Sequence, residues 1–380
     1  MSLLSPPIHM RRQSNNMKSL LIAATAIIAV AVAACGDGRA DGVKTVRIDP
    51  DNVSEIQIDE RGLLPLETRD SSLLYDICDI EHIGNRYIIY SRNLLRIFDA
   101  ENGRWLGNLA KRGNGPGEYN FISNFRSSGD TLLVFDSNQN KEFRYLSDGT
   151  FLGDSKPFGL GPDFDGVPLS VSSYFVAPDG DGYYAINNYV GSTDIPTPAY
   201  TRYSAAGEAI GIVPGRGLYG GGYLTDRGFT DKEHNRILVW EALKDTLFDI
   251  AGAQVRPLYA FDFGEKSLPA EILAMPDLTD RMQSFVNIDD DRISLLRYFH
   301  SKGDNLYFTM TQRREYNDFV RYNEADGSYH ILHFLDPNGR YTPNSFLKID
   351  GDSAIISLSD EACPESNPVL YRFPLSLFEQ

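Results

Sequence analysis

From Thr45 to the end, the chain alternates short apolar runs with polar turns. Tyr87-Ile88-Ile89-Tyr90, Leu94-Leu95-Arg96-Ile97-Phe98, Thr131-Leu132-Leu133-Val134-Phe135, Asn305-Leu306-Tyr307-Phe308-Thr309 and Ala354-Ile355-Ile356-Ser357-Leu358 are typical, separated by turns rich in Asp, Asn and Gly. Short runs rich in β-branched and aromatic residues between turn formers predict strands, so the fold class is all-β. A longer unit also repeats, in which an aromatic strand enters a glycine turn and leaves as another strand. It occurs at Phe98 to Trp105, Tyr145 to Phe151, Tyr203 to Glu208, Phe248 to Gly252 and Tyr322 to Tyr329. The turn glycines are separated by 46, 58, 45 and 75 residues. Glycine supplies the positive φ that closes such hairpins, and a repeat of this length holds four strands, as in a propeller blade. With a final unit from Phe346 to Leu375, residues 45–380 are expected to form a six-bladed β-propeller of four-stranded antiparallel blades.

The final unit shows three strands, Phe346 to Asp350, Ser353 to Ser359 and Pro368 to Phe373. Thr45 to Ile48 and Glu55 to Asp59 are expected to supply the fourth, so that an N-terminal strand closes the ring and pairs an open edge. The long fourth interval holds one short helical insertion, near 269–285. Pro269 opens it, Ile272, Met275, Leu278 and Met282 follow at steps of three or four, and Pro276 should break it. It reads as a cover lying against one face.

Residues 1–34 have the parts of a secretory signal: Lys18, the fifteen-residue apolar run Leu20 to Ala34, and small residues before Cys35. The run is shorter than the roughly 20 residues of a spanning helix, and Gly36-Asp37-Gly38 follows at once. A cysteine after Val32-Ala33-Ala34 resembles the lipobox of bacterial lipoproteins. That resemblance implies a diacylated Cys35, a linker over 35–44, and a domain tethered by lipid to a membrane of the bacterial cell envelope, facing the periplasm or the cell surface.

Removing 1–34 takes away Arg11, Arg12 and Lys18 and no acid, moving the formal charge from −16 to −19. Such an excess of carboxylates repels phosphate backbones, which excludes nucleic acid as a partner. Cys78 and Cys363 would fall in the first and last blades, neighbours in a closed ring, where pairing and two separate thiols are both open. No CxxC occurs, so a structural zinc site has no support.

Leu64-Pro65-Leu66-Glu67-Thr68, Ile97-Phe98-Asp99 and, above all, Arg112-Gly113-Asn114-Gly115-Pro116-Gly117-Glu118-Tyr119 resemble the bacterial six-bladed propeller lipoproteins of the TolB-like and NHL-like kind. The resemblance implies fold and compartment, and brings no general catalytic motif.

The loop Lys111 to Tyr119 has an echo 104 residues on, in Gly215 to Tyr223, where Arg112 matches Arg216 and Tyr119 matches Tyr223. Both loops leave an outer strand for the next blade and should share one face. Arginine forks and tyrosine rings suit a carboxylate, a sugar or a peptide, so Arg112, Glu118, Tyr119, Arg216 and Tyr223 are the candidate ligand-binding residues. The competing reading is that the glycines only allow a tight crossover and Glu118 ties down backbone N–H groups. The acid clusters Asp163 to Asp165, Asp179 to Asp181 and Asp289 to Asp291 lack the EF-hand pattern and read as solvated turns. His330 and His333 would face opposite sides of a strand and cannot share a metal without a bulge. No Gly-x-Ser-x-Gly or His-Glu-x-x-His occurs.

The sequence thus favours a non-enzymatic, lipid-anchored propeller that binds an envelope protein, peptide or glycan without a cofactor. The alternative is a calcium-assisted hydrolase, lactonase or lyase with its metal on the propeller axis.

Overall fold

The computed structural model describes residues 43–379 apart from 160–162, 165–166, 169, 189–199, 214–226, 241–242, 276–277, 289–290 and 313–315. Cys35, Pro276, Arg216 and Tyr223 therefore lie outside the described residues. Six antiparallel sheets follow one another along the chain. Blade 1 is Asp79–Ile83, Arg86–Ser91, Leu94–Asp99 and Trp105–Asn108; blade 2 is Ile122–Ser128, Thr131–Asp136, Lys141–Leu146 and Phe151–Ser155. Blade 3 is Ser170–Val176, Tyr183–Asn188, Tyr200–Tyr203 and Ala209–Val213; blade 4 is Arg227–Asp231, Arg236–Trp240, Thr246–Ala251 and Gln254–Asp262. Blade 5 is Ile293–Lys302, Asn305–Gln312, Tyr316–Asn323 and Tyr329–Leu335; blade 6 is Tyr341–Asp350, Ser353–Asp360, Val369–Pro374 and Leu63–Pro65. The first strand of each blade packs on the first strand of the next, and Tyr341–Asp350 returns to Asp79–Ile83. The six first strands therefore surround an axis, and the protein is a closed six-bladed β-propeller.

The repeat read from the sequence is the hairpin between third and fourth strands. Gly103, Gly149, Gly207, Gly252 and Gly327 all have positive φ, between +60° and +90°. At Gly103 a side chain is excluded twice over, by φ +70° and by the Pro65 carbonyl oxygen 2.1 Å from where a Cβ would stand.

Closure differs from the expectation in one respect. The strand that completes blade 6 is Leu63–Pro65, antiparallel to Val369–Pro374. The two segments expected there, at 45–48 and 55–59, instead lie parallel to the finished outer edges of blades 4 and 5 as fifth strands, Lys44–Arg47 and Ser54–Gln57. Their alternation is genuine, since Val46 and Ile48 are buried against the blade 4 and 5 core. Leu63-Leu64-Pro65 is too short to show a period, and its proline suits an edge strand, which needs no outward N–H donor.

Six apolar clusters fill the molecule, one at each blade interface. Edge-to-face rings recur in them, as where Phe158 meets Phe135 and Tyr174 between blades 2 and 3. The insertion between blades 4 and 5 forms two helices, Ala270–Ala274 and Leu278–Val286. Pro269 caps the first, and Met275 ends it in extended conformation, as a residue before proline does. No helix among the described residues is long and apolar enough to cross a membrane.

Candidate functional site

Antiparallel blades place the first–second and third–fourth hairpins on one face of the ring. The second–third hairpins and the blade-to-blade crossovers lie on the other, here called the crossover face. The loop Lys111 to Tyr119 is the crossover from blade 1 to blade 2, and its own bonds hold it. Tyr119 N–H donates to the Lys111 carbonyl at 3.2 Å, Gly113 N–H to the Tyr119 carbonyl at 3.0 Å, and Glu118 N–H to the Gly115 carbonyl at 3.0 Å. The Glu118 carboxylate accepts from Gly115 N–H at 2.9 Å, the backbone role weighed for it. Tyr119 is fully buried in the core between blades 1 and 2. Its hydroxyl is sealed from solvent without a well-formed hydrogen bond. Burial pushes this phenol up, opposed by the Leu95 backbone and by the charges of Arg96 and Arg112. Arg112 is exposed. The loop is thus a stapled platform: Glu118 and Tyr119 hold it, and Arg112 is offered to solvent.

Next to it lies a group that the apolar pattern concealed. Arg92 and Asn93 form the two-residue hairpin of blade 1 at φ +43° and +62°. Asn93 joins blade 2, donating to the Asn120 carbonyl at 2.9 Å and accepting from Ile122 N–H at 2.6 Å. The Arg92 guanidinium stands 3.7 Å from the centroid of the Tyr75 ring, which is 60% exposed. Tyr75 N–H is pinned to the buried Ser91 hydroxyl at 3.2 Å. Arg96, in the middle of an apolar strand, is only 7% exposed. An arginine inside Leu94-Leu95-Arg96-Ile97-Phe98 and an arginine at a tight-hairpin position were the signals available in the sequence.

On the opposite face, Asp231, His234 and Glu324 bring one donor atom each within 4.8 Å of one another, a spacing that could hold a metal ion. Arg236 already occupies that role. Its Nε donates to Asp231 at 2.9 Å, and its two Nη groups grip the Glu324 carboxylate at 2.9 and 2.6 Å. Tyr259 adds a bond to Glu324 at 2.6 Å. Burial works against the Arg236 charge, but the Glu324 and Asp231 carboxylates more than reverse it and raise its pKa. The set is a clamp between blades 4 and 5, and does not fit a second cation.

The axis shows the same chemistry. Lys348, on the first strand of blade 6, donates to Asp79 and Glu81 of blade 1, both at 3.1 Å. Burial alone would lower this ammonium, and the two carboxylates raise it instead. Calcium wants six to eight oxygens; here the acids of the described inner strands already neutralise a protein cation. His300 of blade 5 donates from Nε2 to the Leu347 carbonyl, 3.0 Å away, and burial with the Lys348 charge pushes its pKa down to about 4. His333 pairs with Asp318 at 2.6 Å. Cys78 and Cys363 are not joined in a disulfide.

Comparison with known families matches residues 43–370 to the profile described as Domain of unknown function (DUF4934). The chain belongs to the DUF4934 family. No curated protein matches it. Among solved structures, a protein of Bacteroides fragilis NCTC 9343 described as exported is similar in fold, with TM-score 0.58, 15% identity, and 87% of this chain and 99% of that one covered. A member of the DUF4221 family from Bacteroides vulgatus ATCC 8482 is similar at TM-score 0.54 and 14% identity, covering 81% of this chain and 94% of its own. At these identities the DUF4934 chain shares the fold with both, and the site must be argued from its own residues.

Proposed function

We propose that this DUF4934 propeller is an envelope lipoprotein of the TolB-like and NHL-like kind, tethered through a lipid on Cys35. Its crossover face binds a protein, peptide or glycan. The observation that carries this reading is the stapled loop, which spends Glu118 and Tyr119 on its own rigidity and leaves Arg112 in solvent. A preorganised loop binds at lower entropic cost than a loose one. The sequence echo of this loop adds Arg216 and Tyr223 to the proposed ligand-binding residues. The exported description of the B. fragilis protein supports a location outside the cytoplasm. The reading is non-enzymatic, because the described acids nearest the axis and at the opposite rim are committed to Lys348 and Arg236.

The test is capture from envelope extract. Arg112→Ala with Arg216→Ala should lose proteins or glycans that wild type retains, at unchanged melting temperature, while Lys302→Ala on the opposite face keeps them. Equal capture by the wild type and the double variant would refute the assigned face. Cys35→Ser should move the protein from the membrane fraction to the soluble one; retention in the membrane would refute the tether.

A further inference from the structure

Among the described residues of the crossover face, Arg96 is a feature that packing does not explain. Its Nε donates to the Ser71 carbonyl at a long 3.5 Å. Neither Nη has an acceptor, and no carboxylate among the described residues pairs with it. Burial pushes this guanidinium down, and only the Tyr119 and Tyr75 hydroxyls oppose it. A charge more than nine-tenths buried with no counter-ion is costly, and a protein that retains one usually has a use for it.

Three further cations, Arg92, Lys111 and Arg112, lie on the same face, whose connector and loop also carry Asp70, Asp76 and Glu118. No ion pair among the described residues includes Arg92, Arg96, Lys111 or Arg112, and Arg92, Lys111 and Arg112 are exposed. Arg92 lies on the Tyr75 ring, and the charges of Arg96 and Arg112 both bear on the Tyr119 phenol. Arg92 also carries backbone strain, since a left-handed φ of +43° is costly for a residue with a Cβ. Its side chain lies on the Tyr75 ring.

We infer that this cluster is a carboxylate-binding site, with Arg96 as its buried fork, Arg92 and Arg112 as flanking cations, and the Tyr75 ring as the surface on which the rest of the ligand rests. With Nε turned to Ser71, the two Nη groups of Arg96 remain as a planar pair of donors. That pair fits the two oxygens of one carboxylate better than the tetrahedral face of a phosphate. The counter-ion that Arg96 lacks in the protein is supplied by the ligand. The inference deepens the proposed binding face by naming what it recognises. The carboxylate belongs to an acidic residue of a peptide or to an acidic sugar, and one experiment separates these sources.

The experiment uses the full-length chain in detergent at fixed ionic strength, with melting temperature followed against N-acetyl-L-glutamate, D-galacturonate and inorganic phosphate. Wild type should gain a few degrees at a carboxylate concentration about 100 times the dissociation constant. Preference for glutamate assigns a peptide source and preference for galacturonate a glycan source. Arg96→Met, which keeps the volume and removes the fork, should melt at or above the wild-type temperature without ligand and bind the carboxylate at least tenfold more weakly. The site is refuted by three results: no carboxylate protects wild type, Arg96→Met is protected equally, or phosphate protects at a lower concentration than either carboxylate. Because the readout is direct binding of a small molecule, it stands even where partner capture through Arg112 and Arg216 fails, and the reverse.

Discussion

Two buried guanidinium groups on opposite faces of the ring have opposite surroundings. Arg236 is closed in by Asp231 and Glu324 and joins blades 4 and 5. Arg96 is still more buried, yet has only one long bond to a backbone carbonyl. The same side chain is a structural clamp where its counter-ions come from the protein. It is a recognition group where the counter-ion must arrive from outside. Burial or charge alone would have ranked the two alike; the presence of partners separates them.

Removing the paired one should be the most damaging change. Arg236→Met leaves Asp231, which is 2% exposed, and Glu324 without their cation, at an expected cost of about 3–5 kcal/mol in denaturant unfolding. A loss under about 1 kcal/mol would erase the distinction from Arg96. Asn367 comes next. It is 2% exposed, donates to the Glu67 and Ser72 carbonyls at 2.8 and 3.1 Å, and accepts from Leu74 N–H at 2.6 Å. It thereby fixes the connector bearing Ser71 and Tyr75. Asn367→Leu should cost about 2–4 kcal/mol and also weaken carboxylate protection, whereas unchanged protection would show that the connector's position does not matter to the site.

The histidines repeat the comparison in titratable form. His300 is buried, bonds a backbone carbonyl and faces the Lys348 charge, so its pKa falls to about 4 from 6.5. Its contribution is full above pH 6.5 and is lost as pH falls towards 4, by roughly 3 kcal/mol. His300→Gln should flatten stability over that window; an unchanged slope would contradict the assignment. His333 has Asp318, whose hydrogen bond raises its pKa against burial. Its contribution is therefore present below 6.5 and fades as pH rises through the raised value.

The smallest effect is expected at Arg92. Arg92→Gly relieves about 1 kcal/mol of left-handed strain and loses a cation–π contact of about 0.5–1 kcal/mol. Stability should stay within about 1 kcal/mol while carboxylate binding weakens several-fold. A large loss of stability would make Arg92 a structural residue.

Much of the architecture was legible because it repeats. Five aromatic strands running into glycine turns are the third–fourth hairpins of five blades, and the six-bladed ring follows from them. Closure was half legible: the N-terminal segment does close the ring, but through the three residues Leu63–Pro65, too few to carry a period. The site was least legible. Arg112 and Glu118 could be read from a distinctive loop, but the fate of Tyr119 depends on the blade 2 core, which forms across distant strands. Arg96 sits inside an apolar strand and looks like a pattern defect until the connector before blade 1 brings Ser71 and Tyr75, and the crossover loop after it brings Tyr119, around it.

The most direct measurement is a crystal structure of wild type and of Arg96→Met grown with N-acetyl-L-glutamate or D-galacturonate. A carboxylate about 2.7–2.9 Å from both Arg96 Nη groups, close to the Tyr75 ring and absent from the variant, is the predicted result. A carboxylate bound elsewhere on the ring, with Arg96 unoccupied in wild type, would contradict the account.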